Sequence, residues 1–296
     1  MTLIELVDAM CARLESAGVS FGHGTDNAFD EAVWLTLWRL GLPLDTPLDG
    51  FESLGDQPVS PGQEAQVREL VETRIRTHQP AAYLTHEAWL QGVPFYVDER
   101  AIVPRSFIAE LIVDGSFDAW LGEHTHRVLD LCTGNGSLAV LAAMAWPEVT
   151  VDASDLSADA LDVARINIDR HGLAARITPL ESDGLTAARG PYDLILCNPP
   201  YVNSQSMAAL PAEYRAEPVL ALAGGADGMD FIRTLLHAAS AVMTPQAVLV
   251  LEIGNERPHF ETAFPSLEVV WLETGAGDDQ VLIATRDQLL AGLENS

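Results

Sequence analysis

Val128-Leu129-Asp130-Leu131-Cys132-Thr133-Gly134-Asn135-Gly136 reads as a strand that breaks into a glycine-containing turn and then enters a helix. Gly134 and Gly136 let the backbone approach a ligand closely. In open α/β sheets ligands bind at carboxyl strand ends, near the point where the strand order reverses. Outward from this stretch the alternation continues. Strands are predicted at 128–131, 149–153, 176–180, 193–197, 247–253, 268–272 and 280–284. Helices fall between them at about 137–146, 157–171, 229–243 and 256–263. Such alternation makes an α/β fold around a seven-stranded, mostly parallel sheet. Glu273 to Asp279 is too short for a helical crossover, so the last strand is expected to run antiparallel.

Upstream the pattern changes. Leu3, Leu6, Val7, Met10 and Leu14 recur at helical spacing up to Ala17, and Gly18 stops them. Asn27 to Leu40 carries Val33, Trp34, Leu37, Trp38 and Leu40, ending at Gly41. A stretch rich in Pro, Gly and Asp covers 41–62, and a third helix is predicted from Gln63 to about His78, closed by Gln79-Pro80. Ala88-Trp89-Leu90, Gln91-Gly92, Pro94 and Phe95-Tyr96-Val97 read as a β-hairpin, and a helix is expected from Phe107 to about Trp120. The expected organisation is a helical domain over 1–80, a hairpin linker over 81–104 and an α/β domain over 105–296.

The charge is strongly one-sided. Forty-three acids against sixteen bases give −27, and every base is Arg. Such a chain is repelled by phosphate backbones, so direct nucleic-acid binding is not expected. The same field steers a basic protein partner toward it, although acidity also suits a salty cytoplasm. Cys11, Cys132 and Cys197 are too scattered for a disulfide framework, and no pair has zinc-finger spacing. No apolar run approaches the length of a membrane span, and Met1-Thr2-Leu3-Ile4-Glu5 lacks the basic start of a signal peptide. A cytoplasmic enzyme is expected, with no metal.

Four strand ends carry polar residues. The run Tyr192-Asp193-Leu194-Ile195-Leu196-Cys197 stops at Asn198-Pro199-Pro200-Tyr201. Neither proline can extend a sheet ladder, so the backbone there is stiff. The Asn198 side chain and the Pro199 carbonyl can both serve as acceptors for a planar NH2 group. Asp130 sits inside the glycine motif, where an acid suits an ammonium group better than a pyrophosphate. Nineteen positions past Gly136, Asp155 ends the second strand and can accept from ribose hydroxyls, with Ser157 as the cap of the next helix. Asp152 should lie within that strand. Asp183 follows the third strand, placed to accept from an adenine amino group.

Together Asp130-x-x-x-Gly134-x-Gly136, Asp155, Asp183 and Asn198-Pro199-Pro200-Tyr201 resemble the class I S-adenosylmethionine-dependent methyltransferases. More narrowly they resemble the protein-glutamine N5-methyltransferases, and the likeness extends over essentially the whole chain. Phe21-Gly22-His23-Gly24-Thr25-Asp26-Asn27-Ala28 and Leu210-Pro211-Ala212-Glu213-Tyr214-Arg215-Ala216-Glu217-Pro218 are similar to the branch that modifies a large-subunit ribosomal protein. The release-factor branch usually shows Pro-Arg-Pro-x-Thr-Glu where this chain has Pro104-Arg105-Ser106-Phe107-Ile108-Ala109-Glu110. The resemblance implies S-adenosylmethionine as cofactor, with Asp130 at its methionine portion and Thr133, Gly134 and Gly136 around it. It further implies Asp155 on the ribose, Asp183 on the adenine, and Asn198 and Pro199 on the substrate amide with Tyr201 packed against it. The implied partner is a basic ribosomal protein, free or in an assembly intermediate. The alternatives are a release-factor glutamine methyltransferase, an adenine-N6 nucleic-acid methyltransferase, whose family uses a similar tetrapeptide, and a non-catalytic cofactor-binding ribosome-assembly module on the same fold.

Other residues carry less. His124-Thr125-His126 suits no zinc pattern and reads as surface loop. His23 reads as a partner contact or a turn histidine, Trp34 and Trp38 as core, and Cys132 and Cys197 as small buried hydrophobes. Glu252 reads as structural and Gly254 as a strand cap. Gly224-Gly225-Ala226-Asp227-Gly228 reads as a lid hinge or a turn.

Overall fold

A computed structural model describes residues 1–293. The chain forms two compact units, one of Met1–Ala88 with Pro211–Glu217, the other of Trp89–Leu210 with the residues from Pro218 on. No helix among the described residues is long and apolar enough to cross a membrane.

The first unit is helical. α1 (Leu3–Ala17) starts at a capping box: Thr2 Oγ1 accepts from Glu5 N, and Glu5 Oε2 accepts from Thr2 N. α2 (Ala28–Leu40) begins where Asn27 Oδ1 accepts from Asp30 N, and left-handed glycines at 18 and 41 end the two helices. α3 (Pro61–Thr77) starts two residues before Gln63, because Ser60 caps it and Pro61 has a φ already suited to a first turn. A short α4 (Ala81–Thr85) follows that the apolar pattern does not announce. Leu6, Val7, Met10, Leu14, Leu35, Leu37, Val67 and Val71 are buried. Each such side chain contributes about 1.5–3 kcal/mol by leaving water.

An ionic network also lies inside this unit. Arg74, 1% exposed, donates from Nε to Glu31 Oε1 at 2.8 Å, from Nη1 to Glu213 Oε1 at 3.3 Å and from Nη2 to the Ser20 carbonyl at 2.8 Å. Ser20 N donates to the same Glu213 oxygen at 3.2 Å. The His23 and Tyr214 rings stand 4.3 Å apart, and His23 Nε2 is 3.4 Å from Glu217. The two segments that resemble the ribosomal branch, far apart in the chain, therefore pack on each other.

The second unit opens with the hairpin, β1 (Ala88–Leu90) and β2 (Val93–Phe95). α5 (Ile108–Asp114) is shorter than the predicted 107–120 helix, because Gly115 takes a left-handed φ of 73° and returns its N–H to the Leu111 carbonyl. The sheet strands are β3 (Arg127–Leu131), β4 (Thr150–Asp155), β5 (Ile177–Glu181), β6 (Tyr192–Cys197), β7 (Met243–Glu252), β8 (Val270–Thr274) and β9 (Gly277–Thr285). Their spatial order is β5-β4-β3-β6-β7-β9-β8. β9 inserts between β7 and β8 and runs antiparallel to both, as the short connection requires.

Alternation along each strand builds two cores. Val128, Leu194, Leu196, Val248 and Val250 face α5 and α6 (Ser137–Ala145), while α7 (Ala158–Arg170) adds Ile168. Leu129, Leu131, Ile195, Cys197, Leu249 and Leu251 face α9 (Asp230–Ala239), α10 (Arg257–Ala263) and α11 (Arg286–Leu293), with a six-residue α8 (Ser204–Ala209) on the connection after β6. With helices on both faces, the central strands are apolar nearly throughout. Strand order reverses between β3 and β6, and the cleft opens there.

Candidate active site

The loop after β3 is built from left-handed residues: Cys132 at φ 61°, Gly134 at 55° and Gly136 at 81°. A cysteine there is a strained position in a loop otherwise kept open by glycine. Gly136 packs tightly: a Cβ there would stand 3.1 Å from that of Ala164 on α7, which would have to give way, and its φ of 81° disfavours a side chain as well. Gly134 differs: a Cβ would meet nothing within 4 Å, so its bare backbone borders the cleft. Its N–H donates to Asp155 Oδ2 at 2.9 Å, and Asp155 Oδ1 accepts from Ser157 N at 2.9 Å. Asp155 thus ties the first loop to the second. Burial lifts its carboxyl above the ordinary range, with the N–H groups of Ser157 and Gly134 pulling it back.

Asp130 lies beneath this loop and not on the cleft wall. It is fully buried; Oδ2 accepts from Thr133 Oγ1 and, at 2.9 Å, from Ala139 N, while Oδ1 has no partner among the described residues. Thr133 is likewise turned inward, its N–H donating to the Ser154 carbonyl at 2.9 Å. Burial pushes the Asp130 carboxyl up to about 7, against the two donors. The native state therefore holds this proton where the unfolded chain has lost it, so stability falls as pH rises from about 4 to about 7. In the ligand-free protein Asp130→Asn should remove that slope, at most about 1.4 kcal/mol per pH unit. Denaturant melts of both proteins at pH 5 and 8 measure it; parallel pH dependences would mean that Asp130 does not carry the proton.

The cleft is lined by Gly134, Asp155, Leu156, Ser157, Asp183, Gly184, Asn198, Pro200, Pro218, Leu220 and Phe231. Of the residues singled out by sequence, Gly134, Asp155, Asp183 and Asn198 meet on this wall. Asn198 ends β6, which is held in register by Leu131↔Cys197 and Cys197↔Leu251. Its carboxamide makes no hydrogen bond with other described residues. Pro199 is buried behind it. Tyr201 does not line the cleft; its ring rests on Gly254 and its hydroxyl donates to Glu252 Oε1 at 3.3 Å.

Residues outside the motifs complete the site. Asn167 of α7, 0% exposed, donates to the Asn135 and Tyr96 carbonyls at 2.9 Å each and accepts from Tyr96 N at 2.7 Å. It locks the glycine loop to the segment that follows the hairpin. The available signal was a polar residue on the apolar face of a helix, in phase with Ala160 and Ala164. Arg100, Ala101 and Ile102 also line the cleft, with Arg100 held by Asp98 at 2.6 Å. Nothing in their spacing announces that.

A parallel sheet closed by one inserted antiparallel strand, with its cleft at the point of reversal, is the fold of the class I S-adenosylmethionine-dependent methyltransferases. Residues 116–213 match the Methyltransferase small domain family. Among solved structures, the hMettl16 catalytic domain in complex with a MAT2A 3'UTR hairpin superposes with a TM-score of 0.50 at 13% identity, covering 76% of this chain and 81% of that one. That likeness concerns the fold alone. Over 293 residues the chain is 52% identical to the ribosomal protein uL3 glutamine methyltransferase of Bordetella pertussis, spanning 97% of this chain and 96% of the relative. It is 50% identical over 300 residues to that of Burkholderia pseudomallei, spanning 98% and 96%. The chain belongs to the family of ribosomal protein uL3 glutamine methyltransferases.

Proposed function

We propose that this protein methylates the side-chain N5 of a glutamine in the large-subunit ribosomal protein uL3, with S-adenosylmethionine as methyl donor. The observation that carries the reading is Asn198, with an unengaged carboxamide, on the same cleft wall as Gly134, Asp155 and Asp183. These residues fit the cofactor. In this reading Gly134 offers bare backbone, Asp155 accepts from the ribose hydroxyls and Asp183 accepts from the adenine amino group, all three lining the cleft. Asp130, Thr133 and Gly136 shape the loop from behind. Bound there, S-adenosylmethionine supplies an electrophilic methyl group.

The chain's own task is to hold and activate the amide. An amide nitrogen is a poor nucleophile because its lone pair is delocalised into the carbonyl. The Asn198 oxygen and the Pro199 carbonyl accept its two N–H bonds, which enriches the nitrogen and fixes its direction. This is positioning and electrostatic preorganisation.

The net charge of −27 favours a basic target, in the cytoplasm and as free protein or assembly intermediate, and disfavours nucleic acid. The helical segment 1–80 serves in its recognition. Full-length protein with labelled cofactor and unmodified uL3 should yield uL3 heavier by one methylene on a glutamine, with no label on a release factor or an adenine-containing oligonucleotide. Label on either of those and none on uL3 overturns the proposal.

A further inference from the structure

The chain just after the diproline corner is gripped by buried acids and glycines that no step above uses. Tyr201 Oη donates to Glu252 Oε1 at 3.3 Å, while Glu252 Oε2 accepts from Ser106 Oγ at 2.6 Å and Phe107 N at 2.9 Å. Two residues on, Asn203 donates to Glu256 Oε1 from Nδ2 at 2.6 Å and from its backbone N at 3.4 Å. The other Glu256 oxygen lies 2.5 Å from His259 Nδ1. Glu252 is 2% exposed and Glu256 6%.

Glycines complete the grip. A Cβ on Gly254, between the two acids, would stand 2.5 Å from Tyr201 Cε2. One on Gly224 would stand 2.7 Å from Tyr201 Cα, and one on Gly228 would overlap the Tyr201 carbonyl oxygen. Val202 N donates to the Leu222 carbonyl and Gly224 N to the Val202 carbonyl, both at 2.9 Å. The glycine-rich run 224–228 is thus a packed wall for Tyr201.

From this geometry we infer that Glu252 and Glu256 are positioning residues for the transfer, acting through Tyr201 and Asn203 on the direction in which Asn198 presents its carboxamide. The inference rests on reading Asn198–Tyr201 as the corner that holds the substrate amide. The rings fix φ at 199 and 200, and Pro200 also restricts ψ at 199, but ψ at 200 stays free, so the two rings alone do not set the corner. A buried carboxylate must find donors, and Ser106 and Phe107 already serve one Glu252 oxygen. The other oxygen reaches the corner. Anchors on both sides of Val202 remove the remaining rotation, and a shift of about 1 Å at such a site can cost about a hundredfold in rate.

The test is a double-mutant cycle in the full-length protein. Tyr201→Phe removes one hydroxyl and leaves Ser106 and Phe107 undisturbed. It should lower kcat on uL3 about tenfold, the worth of a hydrogen bond to a charged group, with KM changed by no more than about twofold. Calorimetric affinity for S-adenosylhomocysteine should stay at wild type. Glu252→Gln should behave alike, the double variant should be no slower than the slower single one, and the shifts in unfolding midpoint should be non-additive. If Glu252→Gln does not fold, Tyr201→Phe paired with Glu256→Gln decides. A Tyr201→Phe protein with wild-type kcat, or single effects that multiply, overturns the inference. Asn198→Ala assayed alongside separates the two readings: full activity there refutes the corner itself, whereas loss there with an unimpaired Tyr201→Phe refutes only the positioning.

Discussion

Asn198→Ala should lower methyl-transfer turnover by roughly two to three decades, since losing one preorganised hydrogen bond to a reacting group costs about 2.7–4 kcal/mol of barrier. The substitution removes an acceptor and little else. Asn198 follows the last paired residue of β6, the buried Cys197 and Pro199 flank it, and its carboxamide supports no other described residue. The backbone should therefore stay in place. Gly134 and Asp155 are bonded to each other and owe nothing to residue 198, so affinity for S-adenosylhomocysteine should remain close to wild type. Single-turnover transfer and calorimetry on one preparation distinguish the cases. A parallel loss of transfer and cofactor affinity would assign Asn198 to holding the cofactor.

The largest effect on stability should come from Arg74→Ala. One guanidinium there satisfies Glu31, Glu213 and the Ser20 carbonyl at 2.8–3.3 Å, and both carboxylates are nearly inaccessible. Burial already pushes the Glu31 carboxyl up, with Arg74 opposing. Removing the cation leaves buried Glu31 with the Thr25 hydroxyl and Glu213 with the Ser20 N–H and His78, neither a substitute for the guanidinium, which costs about 3–5 kcal/mol. Hydrogen exchange of α2 and α3 amides should accelerate by about two to three and a half decades, taking about 1.4 kcal/mol per decade. Replacing Arg74, Glu31 and Glu213 together by Met, Leu and Leu should be milder, because no charge is left unpaired. Wild-type exchange in Arg74→Ala would mean that the network does not hold these helices.

Much of the architecture was readable locally. Gly18 and Gly41 end helices where a left-handed residue must, α3 stops instead on a left-handed His78 ahead of Pro80, and Ser157 caps α7 as its position implied. Gly134 and the polar strand-end residues Asp155, Asp183 and Asn198 share one cleft. Side-chain direction was less readable. Asp130 looked like a ligand contact and is a support for the loop. Tyr201 looked like a substrate contact and faces Gly254 and Glu252. Gly134 and Gly136 looked alike in sequence, yet one borders the cleft and the other admits Ala164.

Local chemistry explains what the chain declared by itself: hydrophobic period, glycine and proline stops, and a carboxamide or acid where each strand runs out. These depend on neighbours within a turn or two, so they specified the strands, the fold class and the positions with chemical reach. Sheet order decided the rest. Only the insertion of β6 between β3 and β7 sets Asn198 between the glycine loop and Glu252, and only folding brings Glu31, Arg74 and Glu213 to one point. Tyr201 and Glu252 are 51 positions apart, Arg74 and Glu213 139. Partnerships over such separations leave no periodic trace, because they arise from the packing of whole elements.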